Sequence, residues 1–370
     1  MPPTIVELGR LAGCSPATVS RALNNSGSVS DKTRKAIVQA LRQTQYMSKR
    51  SARKMRRSTR ETGELIEVVL HYRAPYEPLS VGQGGLQVGP LTEPPEQDAL
   101  AVPGRLTGNF LRQIVNGVLV ELAKWGHRAA VQTSKDLLGP ELLADINRID
   151  RHGVLLLGEY TPDLRQFAAQ CIHPLVLVDI IDDCKADVVT TDNLAGISQA
   201  FDHLYELGHR KIGFVGKFDP DVAFVERFTA FQWKMAEKGL PVVGEWIHEG
   251  PNHIDMTATG VRRILGLADR PTALLCVNDC AALGVLRAAG GMGIAIPDEI
   301  SVVGFDDEEA ASLVTPPLTT VHVPMSEIGR QAVRQLMIQI QAGKTGRSRG
   351  CRIRLMPELV VRRSTGPVKA

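Results

Sequence analysis

From Glu64 onward, short apolar runs alternate with amphipathic stretches, and that pattern leaves few folds open. Leu65–Leu70, Val154–Leu157, Leu175–Val178, Ile212–Val215, Ala273–Val277 and Ser301–Val303 read as buried strands. Leu111–Lys124, Ile197–Leu207, Val225–Lys238 and Ala281–Ala289 read as helices between them. Strands that are apolar throughout, separated by helices, predict parallel sheets covered on both faces. About 300 residues of this pattern exceed one sheet's usual size, so two lobes are expected. A ligand cleft is then expected beyond the C-terminal ends of the strands.

The first sixty residues follow a different rule. They carry a net charge of +11 and the remainder carries −8, although the whole chain sums to only +3. One end therefore suits a polyanion. It is not a plain basic tail, because it is also periodically apolar. Ile5, Leu8, Leu11 and Ala12 recur at helical spacing, and Gly13-Cys14 then breaks the pattern. Ser15 suits an N-cap and Pro16 the first helical position, where its missing N–H is harmless. Val19, Ala22 and Leu23 give that second helix one apolar face, and Ser30 can cap a third that buries Ala36, Ile37, Ala40 and Leu41. Three short helices with a tight turn between the first two predict a helix-turn-helix.

The stretch TIVELGRLAGCSPATVSRALNNSGSVSDKTRKAIVQAL resembles the headpiece of the lactose/galactose-repressor family. The resemblance continues in DNLAGISQAFDHLYELGHRKIGFVG, NDCAALGVLRAAGGMGIAIPDEISVVGFDD, TPPLTTVHVP and ELVVRRST. It implies an all-α helix-turn-helix headpiece over 1–47, a hinge over 48–62, and an α/β, two-lobed periplasmic-binding-protein-like domain over 63–365 that binds effector and dimerises. Three crossovers are expected near Thr191, Val323 and Cys351. The N-lobe would then hold about 63–190 and 324–350, and the C-lobe 191–323 and 351–365.

Within the headpiece, Ser15, Thr18, Ser20 and Asn24 offer short polar side chains to phosphates. Arg21 can reach a guanine edge through two hydrogen bonds. Pro16 and Ala17 open the recognition helix where the family often carries longer polar residues, so only apolar contact is open to them, and Ser28 or the hinge would share the reading of bases. In the hinge, Arg50, Arg53 and Arg56 supply charge, and the resemblance puts Met55 where the family wedges a leucine into the minor groove, with Ala52 one turn before it.

In the larger domain, Asp179, Asn278 and Asp306 each follow an apolar run at its C-terminal end, and Arg227 opens a helical stretch. With Phe110 and Val323 they form the expected effector site. Carboxylate and guanidinium groups suit vicinal hydroxyls or a carboxylate, and a sugar or sugar derivative is what the resemblance implies. Val323 is apolar where the family often places a polar residue. Residues 74–107 depart further: 34 residues with six Pro and five Gly stand where the family has a short loop, and a long loop of this kind is expected either to close over ligand, to meet a partner or to have no role.

Other classes find little support. No GxGxxG follows a strand, and GxxxxGK[ST], GxSxG and HExxH do not occur, so no enzyme and no cofactor are expected. The six cysteines and nine histidines lack metal-ligand spacing, so no metal is expected and the cysteines read as reduced thiols. With no signal sequence and no run of about 18 apolar residues, the expectation is a cytoplasmic, nucleoid-associated homodimer that binds near-palindromic double-stranded DNA, most simply as a repressor. An activator of the same family, or a solute-binding or carbohydrate protein sharing the lobed core, are the alternatives.

Overall fold

A computed structural model describes residues 5–23, 29–30, 33, 36–37, 40, 63–71, 107–148, 150–216, 221–250, 253–342 and 350–369. Asn24, Ser28, the hinge residues Arg50, Ala52, Arg53, Met55 and Arg56, and almost all of the 74–107 segment lie outside these residues.

Near the N-terminus, α1 (Ile5–Leu11) and α2 (Pro16–Leu23) are joined by a tight turn. The Cys14 amide donates to the Gly9 carbonyl at 2.9 Å, and Gly13 adopts φ +62°. A Cβ at Gly9 would press on the Cys14 carbonyl, and one at Gly13 would strain the backbone, so the turn selects glycine at both places. Leu8, Val19, Ile37 and Ala40 form the buried cluster, each no more than 2% exposed. Leu11, expected inside, is 50% exposed, because it ends α1 and Ala12 packs in its place.

The larger domain is two six-stranded sheets. The first lobe begins β1 (Leu65–His71), α3 (Thr107–Lys124), β2 (Arg128–Ser134), α4 (Pro140–Ile146), β3 (Gly153–Gly158), α5 (Leu164–Gln170), β4 (Leu175–Val178) and β5 (Asp187–Thr191). The second continues α6 (Asn193–Glu206), β6 (Ile212–Val215), α7 (Val222–Glu237), β7 (Ile247–His248), α8 (Ile254–Leu265), β8 (Ala273–Cys276), α9 (Asp279–Met292), β9 (Ser301–Asp306), α10 (Glu309–Leu313) and β10 (Thr319–His322). The chain then returns through α11 (Met325–Gln341), which packs on α3 and on the first sheet, and ends with β11 (Arg352–Leu355) and β12 (Glu358–Val360).

Every strand pair is parallel except β10–β12. The interior strands are buried on both faces, so they are apolar without alternation. The last crossing differs from expectation. β11 pairs with β5 in the first sheet, so the chain changes lobes at Met356-Pro357 and not near Cys351. The Arg-Ile-Arg-Leu alternation of β11 is that of an outer strand, and the Cys351 amide is already tied to the first lobe by Asp187 Oδ1 at 2.7 Å.

Helices α3 and α11 cross closely because each offers a glycine. A Cβ at Gly117 would overlap the Ser326 carbonyl, and one at Gly329 would overlap that of Ile114. Helix backbones cannot give way cheaply, so Gly329→Ala is expected to destabilise by about 1–3 kcal/mol despite better helix propensity. Urea unfolding measures this, and an unchanged midpoint would contradict the close crossing.

Two histidines that follow helix ends serve as structural links. His209 is 2% exposed, bonded at Nδ1 to Thr272 Oγ1 (2.9 Å) and at Nε2 to Ser301 Oγ and the Gly366 carbonyl (3.0 Å each). Burial holds its pKa below the usual value, so it is a neutral pin for the C-terminal segment. His127 Nδ1 accepts from the Glu64 amide at 3.1 Å, which joins the end of α3 to the start of β1.

Candidate DNA-binding face and effector cleft

Ser15 starts α2 as the sequence requires. Its Oγ accepts from the Thr18 amide at 3.2 Å and is hydrogen-bonded to Thr18 Oγ1 at 2.9 Å. Val19 turns fully inward, which leaves Ser15, Pro16, Ala17 and Arg21 on the exposed side and Thr18 and Ser20 half-buried beside them. Arg21 folds back along the helix, with Nε to the Ala17 carbonyl and Nη2 to Thr18 Oγ1, both at 3.4 Å. Bonds of that length are weak, so the guanidinium is held near the helix surface and is easily released to a stronger acceptor. Arg21→Ala is expected to cost about 1–3 kcal/mol of specific affinity and to relax preference at one base pair of each half-site. A binding assay across single-base operator variants reads this; equal loss on every sequence would reduce Arg21 to a phosphate contact.

The second site lies between the lobes at the C-terminal strand ends. Asp179 follows β4 and Asp306 ends β9, and both have positive φ, at 57° and 112°. Non-glycine residues held there store about 1–3 kcal/mol of strain each, which the surrounding structure must outweigh. Arg227, 3% exposed on α7, is the central cation. It donates to Asn193 Oδ1 (2.9 Å), the Val277 carbonyl (2.8 Å) and Asp306 Oδ1 (3.4 Å), and it stacks on Phe305 at 3.8 Å. Thr190 Oγ1 donates to Asp179 Oδ1 at 3.0 Å. Burial pushes the Asp179 and Asp306 carboxyls up to about 7, against the opposing pull of Arg227.

The other expected residues divide. Asn278 is at the cleft end of β8, but its Oδ1 caps α9 by accepting from the Ala281 amide at 3.0 Å. Asp279 is sealed at 1% exposure, with Thr320 Oγ1 donating to Oδ1 at 2.5 Å and the Glu308 amide to Oδ2 at 2.8 Å. Val323 is 1% exposed within the apolar core, so its side chain has no surface for a polar ligand, although its amide reaches the Asp306 carbonyl at 3.4 Å. Phe110 is half-buried against the same core. Asp307 caps nothing; it accepts from Arg362 Nη2 at 2.6 Å and is bonded to His322 Nδ1 at 3.0 Å.

Sequence reasoning missed four groups. Asn193 links the site through Nδ2 to Glu226 (2.9 Å), and Glu226 accepts from Arg354 Nη2 at 2.6 Å, an ion pair between α7 in one lobe and β11 in the other. Asp221 caps α7 and is raised by burial. Glu308, 6% exposed, is pushed up to about 9 by burial and by Asp306 and Asp279 beside it. Asn193 stood within the DNLAG stretch, but neither periodicity nor position at a strand end singled it out.

Among the described residues no group of His, Cys, Asp and Glu is placed to hold a metal, and no helix is long and apolar enough to cross a membrane. A helix-turn-helix joined to two parallel-sheet lobes with a polar cleft defines a DNA-binding transcriptional regulator. Residues 4–48 match the pattern of bacterial regulatory proteins of the lacI family, and 201–365 match a periplasmic binding protein-like domain. The chain belongs to the lacI family of regulators. It is 29% identical to the HTH-type transcriptional repressor PurR of Haemophilus influenzae, with 98% of each chain covered. The PurR of Actinobacillus pleuropneumoniae serotype 3 is also 29% identical, at the same coverage. Among solved structures, the transcriptional regulator CelR in complex with cellobiose is 25% identical, with TM-score 0.65 over 98% of this chain and 99% of that one. The lac repressor dimer bound to operator and the anti-inducer ONPF shares the fold, at 23% identity and TM-score 0.66 over 99% and 100% of the chains.

Proposed function

We propose that the protein is a homodimeric repressor in the cytoplasm that holds a near-palindromic operator in double-stranded DNA and changes its grip when a small polar, carbohydrate-like effector binds between the lobes. The observation that carries this reading is the buried Arg227–Asp306–Asp179 group between two sheets, in a chain whose other end is a strongly basic helix-turn-helix. The PurR relatives support repression, and the cellobiose complex supports a sugar-like ligand. Ser15, Thr18 and Ser20 then meet phosphates, Arg21 reads a base, and Pro16 and Ala17 pack on a thymine methyl. In the cleft, Asp179, Arg227 and Asp306 grip the effector, and Phe110 bounds it. An effector of this kind works by its differential affinity for two arrangements of the lobes, and the coupling is reciprocal.

The test is selection of operators from random double-stranded DNA, followed by anisotropy titration with and without a sugar panel. The expected outcome is two inverted half-sites related by the dimer's two-fold axis, and at least one sugar that shifts operator affinity. Recovery of unpaired half-sites, or of no consensus, would sink the dimeric reading.

A further inference from the structure

We infer that the effector is a hydroxylated amine of the amino-sugar class, bound with its ammonium group among the carboxyls of the cleft; this rests on the cleft being the effector site. Among the described residues the charge grouped around the cleft is one-sided. Asp179 arrives from β4, Asp221 and Arg227 from α7, Asp306 from β9 and Glu308 from the segment before α10. Glu159, after β3, adds its field to Asp221, and Asp279, from α9, adds its own to Asp306 and Glu308. Two neighbouring cations among the described residues are already taken, Arg362 by Asp307 and Arg354 by Glu226. His322 is also bonded to Asp307.

Arg227 keeps only Nη2 for a ligand. Its Nε is spent on Asn193, its Nη1 on the Val277 carbonyl and Asp306, and one face is covered by Phe305. An anionic effector would therefore meet several carboxyls with only the two N–H groups of Arg227 Nη2 to receive it. A neutral sugar would pair with these carboxyls through hydrogen bonds alone and would draw nothing from their ionised forms.

Glu308 is the independent observation that points to a ligand. Its amide is bonded to Asp279, but its carboxyl, in a residue only 6% exposed, makes no hydrogen bond or ion pair among the described residues. A buried carboxyl without a partner is costly, and here the group avoids that cost by keeping its proton to about 9. Asp279 offers a contrast: both its oxygens are satisfied within the protein, so it holds structure together. Glu308 and the second oxygen of Asp179 are left for something the chain does not supply. An ammonium beside Glu308 and Asp306, whose charges act on each other, favours their ionised forms, so binding releases protons. Ring hydroxyls then donate to the remaining oxygens.

Isothermal titration calorimetry of the full-length protein tests this with skeleton-matched probes: glucosamine, galactosamine and mannosamine against glucose, galactose and mannose, and against glucuronate and galacturonate. The expected result is at least one amine binding about tenfold or more tighter than its neutral parent, uronates binding weaker still. At about pH 6.5 the amine should also show a heat that varies with buffer ionisation enthalpy in the sense of proton release. Glu308→Gln, which keeps the shape, should shrink the amine's advantage severalfold. A neutral sugar or uronate binding as tightly as its amine overturns the inference while leaving the cleft as a sugar site. Binding by none of the three amines overturns it too, and the cleft reading is then judged by the operator assay alone.

Discussion

Operator affinity is expected to fall by about 10³–10⁵ between 50 and 200 mM salt if six to ten phosphates are neutralised. The cause is the uneven placement of charge. Residues 1–60 hold +11 and the remainder −8, so the DNA-facing end is far more basic than the net +3 suggests. Each phosphate neutralised releases condensed counterions, and the entropy of that release declines as bulk salt rises. Two headpieces in a dimer double the number of contacts available. The steepness should be shared by random DNA, because phosphate contacts carry no sequence information. The measurement is the slope of log Kd against log salt for the selected operator and for a scrambled duplex. A nearly flat slope on both would remove the electrostatic account of the headpiece. A steep slope on operator alone would mean that the phosphate contacts form only once the bases are recognised.

How much of this was legible in the sequence depended on burial. β3, β4, β6 and β8 are buried on both faces, so their residues had to be apolar and stood out as runs. β2, β11 and β12 are outer strands with mixed composition, and they did not stand out. β5 was hidden for another reason. It is buried, yet carries Thr190 and Thr191, whose hydroxyls are satisfied by Asp179 Oδ1 and the Leu355 carbonyl. Hydrogen bonds of that sort connect residues 11 and 164 apart in sequence, and no local pattern records them. The cleft was legible to the same degree. Asp179 and Asp306 could be placed because strand ends are visible as the end of an apolar run, whereas Arg227 was placed by the helical stretch that holds it. That Asn278 caps α9 while Asp279 is sealed inside could not, because the sealing comes from Thr320 and the Glu308 amide arriving from a distant strand and loop.

Removing the cleft's central cation is expected to have the largest effect on the larger domain. Arg227→Met keeps most of the side-chain volume and deletes the guanidinium. It leaves the Val277 carbonyl, Asn193 Oδ1 and Asp306 without their donor, and breaking a buried pair from one side costs about 3–5 kcal/mol. The loss should depend on pH, and its sign can be worked out. Asp179 and Asp306 titrate near 7 in the folded protein, well above the ordinary carboxylate value, because burial disfavours their charge. The folded state therefore keeps protons that the unfolded chain gives up, and stability from these groups falls as pH rises from about 4 to about 7. Arg227 limits that fall by favouring the ionised forms. Without it the two carboxyls climb further and the decline continues past neutrality. At about pH 5 both are protonated in either protein, so only the lost hydrogen bonds remain, roughly 1–3 kcal/mol. At about pH 8 the full penalty should appear. Urea unfolding of both proteins at the two pH values reads the difference directly. The effector response should vanish in the variant at either pH, while a folded headpiece still binds random DNA. A destabilisation equal at both pH values would mean that Arg227 acts through packing and neutral hydrogen bonds, and that the carboxyls beside it do not depend on its charge.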